Sequence, residues 1–147
     1  MSVAAVVLDA STTAAWLLPD EASEASRAAY RRVRRGALEL HAPQLWLWEC
    51  GNIIANGVKR RRVSPEDALL TWSVLDAVRV RVELTAPEPS QVRAALVLAI
   101  DHGLSLYDAA YLWLALSLRL PLLTADSKLR RAAIDNALVV VAFDDVG

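Results

Sequence analysis

With 147 residues, 55% of them hydrophobic, the chain can bury one ordinary domain core. Its single cysteine, Cys50, excludes an internal disulfide framework; with only two histidines, His41 and His102, a zinc site of the usual type is excluded too, so any metal must be held mainly by oxygen. A net charge of −1 offers no bulk attraction to polyanions, and a nucleic acid would have to be held by local basic patches or through bound metal.

Residues 1–8 lack a basic region and lead at once into a polar segment, and the longest apolar run, 109–118, is too short to span a bilayer. The expectation is one cytoplasmic domain over 1–147, with neither signal peptide nor membrane span. Residues 3–8 are β-branched and apolar, as a central strand covered on both faces would be, and Asp9 ends them. Ser11 is placed to cap a short helix to residue 18; Pro19 stops it, and Asp20 and Glu21 open a second helix reaching about residue 35, with Gly36 as its stop. Residues 38–42 suit a short strand, and 44–62 a long helix interrupted only by the helix-weakening Gly51 and Gly57. Ser64, Pro65, Glu66 and Asp67 combine a cap, a first-turn proline and early acids, so a helix should run from there to about 78.

The alternation over 80–84 predicts an edge strand, and a helix over 90–101 should close at His102-Gly103. A helix from Ser105 to 118 is apolar almost all round, 122–124 reads as a buried strand ending near Asp126, and a basic helix over 127–135 leads to a last strand over 138–143. Strands alternating with helices predict an α/β fold, with a central, mostly parallel sheet flanked by helices.

In such sheets ligands gather at the carboxyl ends of the strands, where Asp9 and Asp126 both emerge. Asp108 lies in the first turn of the helix before the Asp126 strand, at that edge or the opposite one. Glu49 sits among bulky apolar residues with Asn52 one turn away. Each acid alone has a plain structural explanation: Asp9 and Asp126 as helix caps, Asp108 in a capping box with Ser105, Glu49 facing solvent. Together they repel, and cations such as magnesium or manganese would neutralise them.

Several segments carry a family resemblance: Leu8-Asp9-Ala10-Ser11, Trp16-Leu17-Leu18-Pro19-Asp20-Glu21, Glu49 followed by Asn52, Leu106-Tyr107-Asp108-Ala109-Ala110-Tyr111, and Leu122-Leu123-Thr124-Ala125-Asp126. In this order and over nearly the whole chain, they resemble the PIN-domain ribonucleases, and within them the VapC toxins of bacterial toxin–antitoxin pairs. The resemblance implies a PIN-like fold and an endoribonuclease using Mg2+ or Mn2+ that leaves a 5′-phosphate and a 3′-hydroxyl. It implies Asp9, Glu49, Asp108 and Asp126 as the metal-site acids, with Ser11, Asn52 and Thr124 supporting them through hydrogen bonds. It further implies an RNA substrate, a homodimer, paired through the 106–118 helix, and a small VapB-like antitoxin that lies along an apolar groove and presents a cation to the acids.

The basic runs Arg31-Arg32, Arg34-Arg35 and Lys59-Arg60-Arg61-Arg62 suit phosphate contacts and helix C-termini equally. Trp46, Trp48 and Trp72 could form an exposed groove for a partner helix, but tryptophans at such spacing are more often core, and the core is the expectation. Aspartyl phosphotransfer would also place an acid after the first strand, but Ser11 stands where its second acid belongs. A phospho-receiver would likewise need paired acids there. A non-catalytic PIN-like RNA- or protein-binding module is the remaining alternative.

Overall fold

The computed structural model describes residues 3–147. Met1 and Ser2, which begin the N-terminal stretch read above, lie outside the described residues. Strand β1 (Ala5–Leu8) is central because Val6, Val7 and Leu8 have no exposed surface and need neighbours on both sides and both faces. It pairs in parallel with β2 (Glu39–Pro43) on one side and β4 (Leu122–Leu123) on the other. Strands β3 (Val82–Thr85) and β5 (Val140–Val141) form the edges, giving five parallel strands in the order β3-β2-β1-β4-β5.

The chain moves outward from β1 through β2 to β3 and then crosses back to β4, so the strand order reverses between β1 and β4. That reversal leaves a crevice at the carboxyl ends of β1 and β4.

Helix α1 (Ala10–Leu17) follows β1 immediately, and its cap is Asp9 rather than the expected Ser11, because the Asp9 carboxylate accepts the Thr12 N–H at 2.8 Å. The second helix does not begin at Asp20. Residues Pro19–Glu21 make a single 3-10 turn, and α2 (Glu24–Arg34) starts after Ser23, whose side chain and that of Ser26 cap each other's backbone N–H. Helix α4 (Pro65–Arg79) starts from Ser64 as expected. Helix α5 (Pro89–His102) ends at Gly103, whose φ of 62° suits a residue without a side chain. Helix α6 (Leu106–Leu118) packs on β1, β2 and β4 and is covered by α5. Helix α7 (Ser127–Asp135) matches its expected bounds. The last strand is shorter than 138–143, because the neighbouring β4 offers only two residues to pair with; Phe143–Val146 then turn into a short helix, α8.

Helix α3 (Leu45–Lys59) runs unbroken through both glycines, for different reasons. A Cβ on Gly57 would stand 3.0 Å from Leu18 Cδ2 and 3.3 Å from Val63 Cγ1, whereas one on Gly51 would meet only Trp72, at 3.8 Å. Gly51→Ala should therefore raise the melting temperature by a few degrees, from about 1 kcal/mol of helix propensity. At Gly57 the same gain is opposed by overpacking of about 1–3 kcal/mol, and Gly57→Ala should melt at or below the parent. Thermal unfolding of the two variants checks this, and equal shifts would refute the close-packing role of Gly57.

Candidate active site

Asp9 is buried, with 3% of its surface exposed, at the end of β1. Its Oδ1 caps α1, and its Oδ2 accepts from Ser11 Oγ at 3.1 Å and from Thr124 Oγ1 at 2.5 Å. Thr124 follows β4 and also accepts the Asp126 N–H at 3.1 Å, so one hydroxyl ties the ends of the two strands together across the crevice. Behind it, Thr13 Oγ1 donates to the Asp9 carbonyl at 2.9 Å and accepts the Trp46 indole N–H at 3.0 Å. Thr12 Oγ1 accepts the Ala125 N–H at 3.1 Å. These bonds hold the Asp9 carboxylate in one orientation.

Glu49 and Asp108, on two helices, lie near enough to feel the charge of Asp9, and Asp126, the residue before α7, acts on Asp108. Glu49, half-buried on α3, accepts a 2.5 Å bond from the Tyr111 hydroxyl on α6. Burial raises its carboxyl above the ordinary 4.5, the Tyr111 bond opposes this, and the nearby charges of Asp108 and Asp9 raise it further. Asp108, in the first turn of α6, is raised above 3.8 by burial; the Ser105 hydroxyl opposes this, Asp126 and Asp9 raise it further, and Lys128 lowers it. Asp126 caps α7 by accepting the Leu129 N–H at 2.7 Å. The capping explanation is thus true of Asp9 and Asp126, and compatible with a site, since a carboxylate has lone pairs beyond those its cap uses. Asp108 lies at the same edge as Asp9 because α6 runs antiparallel to the strand it feeds.

The donors are all oxygens, and among the described residues none of the four acids enters an ion pair. Negative charge is concentrated here, with Lys128 near enough to lower Asp108 but beyond ion-pair distance, which fits a hard divalent ion. Equally, no group of three or more His, Cys, Asp or Glu among the described residues is gathered tightly enough to hold a metal ion. Magnesium is commonly bound through one or two carboxylates with water completing its shell. The donor chemistry therefore fits such an ion, and the spacing supplies no preformed cage. Burial pushes the Cys50 thiol up, so it stays neutral and offers neither nucleophile nor ligand.

A family model for the PIN domain matches residues 6–135. Ribonuclease VapC3 of Pyrobaculum aerophilum is 32% identical over 128 residues, which cover 84% of this chain and 91% of that protein. The chain belongs to the PIN-domain family, among its VapC-type members. The crystal structure of PAE2754 from Pyrobaculum aerophilum has a similar fold, with a TM-score of 0.69 over 98% of this chain and 93% of that one at 23% identity.

Within this PIN domain, Ser11 and Thr124 bond to Asp9, whereas Asn52, exposed on α3, makes no hydrogen bond to the acids. Tyr111, Thr12, Thr13 and Trp46 support the site and were not singled out from sequence as doing so. Only Tyr111 left a signal, as a phenol one helical turn after Asp108.

The tryptophans divide: Trp46 is core as expected, whereas Trp48, 83% exposed, and Trp72, 42% exposed, lie at the surface. The basic runs divide as well. Arg32 donates to the carbonyls of Val3, Ala37 and Val146, and Arg31 pairs with Glu24, so these cations are structural. Arg62 is held by Asp20 and Glu21. His41 lies 3.6 Å from Glu83 on the neighbouring strand, and His102 bonds to Asn136 beside the end of α5. Among the described residues no helix is long and apolar enough to cross a membrane.

Proposed function

We propose that this chain is a metal-dependent endoribonuclease and the toxin of a type II toxin–antitoxin pair, with Asp9, Glu49, Asp108 and Asp126 holding Mg2+ or Mn2+. The observation that supports the reading is that the charges of Asp9 and Asp108 act on Glu49, and those of Asp9 and Asp126 on Asp108, at the β1–β4 crevice, with none of the four acids in an ion pair among the described residues. The name of the VapC3 relative supplies RNA as the substrate class.

When bound, the ion would polarise the scissile phosphate, activate water and shield charge on the leaving oxygen. Asp9, fixed by three donors, orients the site, and Glu49 is kept in place by a Tyr111 phenol that burial and Glu49 itself hold protonated. Ser11 and Thr124 donate hydrogen bonds to Asp9 Oδ2 and act by orienting its carboxylate. The products would carry a 5′-phosphate and a 3′-hydroxyl.

Inhibition by a VapB-like segment is supported by a cavity of about 740 Å³, lined by apolar side chains that include Trp16, Leu18, Val63 and Leu70. A smaller cavity shares Leu18 and Arg62 with it and reaches Ser11, so a chain lying in the groove could bring a cation to Asp9. A homodimer is supported by α5 rather than by α6, which α5 covers: Leu96, Val97 and Ile100 of α5 are 47–72% exposed. Sedimentation showing a monomer at micromolar concentration would reject the dimer.

Incubating the protein with RNA in Mg2+ or Mn2+, against a chelated control, and mapping the product ends tests the activity. Calorimetry that finds neither metal binding nor cleavage would leave the binding-module alternative.

A further inference from the structure

The polar side of α3 continues past the acids. Asn56 and Arg60 follow Glu49 by seven and eleven residues, close to two and three helical turns, so with Asn52 they form one stripe extending about 17 Å at ~1.5 Å per residue. Asn56 and Arg60 line a cavity of about 280 Å³ together with Glu21, Arg62 and Ser11, the same Ser11 whose hydroxyl bonds to Asp9. Arg62 is neutralised there by Asp20 and Glu21. Arg60 enters no ion pair or side-chain hydrogen bond among the described residues. Complementing the helix dipole does not explain the placement, since Lys59 would serve that purpose equally from outside the cavity.

We propose that this cavity is a phosphate subsite for the RNA strand as it leaves the acids, with the Arg60 guanidinium pairing a backbone phosphate and the Asn56 amide donating to the same strand. The proposal rests on the nuclease reading above and adds how a chain of net charge −1 holds a polyanion beside a cluster of carboxylates. Phosphate pairing positions the strand without reading its sequence. Arg60 is thus a positioning residue, and its loss should raise KM while leaving kcat near that of the parent.

The test measures binding of a fluorescent single-stranded oligoribonucleotide in the Asp108→Asn background between about 50 and 200 mM salt. Arg60→Ala should weaken binding roughly tenfold, the loss of one charge-assisted bond, and lower the slope of log affinity against log salt by about 0.7. Arg60→Lys should restore most of both. Arg35→Ala, at the end of α2 and at the opposite edge of the sheet, should change neither. Arg60→Ala binding with the parent's affinity and salt slope would overturn the subsite and leave the nuclease reading standing, whereas a parent that neither binds nor cleaves RNA would overturn both.

Discussion

Asp108→Asn should abolish RNA cleavage and leave the metal-free protein as stable as the parent or a few degrees more stable. The carboxyl it replaces is disfavoured in its charged form by burial and by Asp126 and Asp9, so removing the charge removes a repulsion. The α6 cap is kept, because Ser105 Oγ accepts the Asp108 backbone N–H, and the variant gives up only the favourable effect of the Ser105 hydroxyl and Lys128 on the charged carboxyl. Asp9→Asn should also abolish cleavage but with the opposite stability effect. Its Oδ2 accepts two hydroxyl protons, and Thr124 already accepts the Asp126 N–H, so an amide NH2 at that position leaves Thr124 poorly matched. The expected cost is about 1–3 kcal/mol, or roughly 3–10 °C in a chain of this size. Melting curves beside a cleavage assay on both variants decide the matter. A destabilised Asp108→Asn variant that still cleaves RNA would refute the metal-site assignment.

Adding Mg2+ or Mn2+ should raise the melting temperature at neutral pH and flatten a pH dependence that the metal-free protein shows. Glu49 and Asp108 both titrate above their ordinary values of 4.5 and 3.8 in the folded state, chiefly through burial. In the window from those values upward, the folded chain binds more protons than the unfolded one. Stability from this source therefore falls as pH rises through the window and returns on acidification. Asp20 and Glu24 act in the other sense: their arginine partners hold them low, and the contribution, screened at these exposed positions, is lost below the same range. The difference between parent and Asp108→Asn isolates the site, and its slope should shrink when cation is present. A cation at a hundred times its dissociation constant adds about 2.7 kcal/mol. Identical melting curves for the parent with and without either ion, from pH 4 to 8, would show that the acids bind no cation.

Local punctuation was readable along the chain because its causes lie within four residues. Ser64 and Pro65 start α4, Ser105 starts α6, Gly103 ends α5, and the run after Asp126 forms α7 within its expected bounds. The apolar β-branched run before Asp9 required a covered central strand, and the alternation of elements required a parallel sheet. The family resemblance pointed to Ser11 and Thr124 as partners of the acids, and both bond to Asp9, but nothing in the sequence pointed to Thr12, Thr13 and Trp46 behind Asp9 or to the bond from Tyr111 to Glu49. Thr124 reaches Asp9 across 115 residues, Tyr111 reaches Glu49 across 62, and Trp46 reaches Thr13 across 33. Each partnership depends on how helices settle on the sheet, and no local pattern encodes that. The same cause misplaced Trp48, which shares α3 with the buried Trp46 but turns to the opposite face, and shortened the last strand, whose length is set by the two residues of β4. Composition and local pattern pointed to the helices, the parallel sheet and oxygen as the available donor; only packing decided which edge Asp108 occupies, that Tyr111 meets Glu49 and Trp46 meets Thr13, and that Arg60 stands unpaired among the described residues in the cavity that Ser11 lines, because those depend on contacts between segments far apart in the chain.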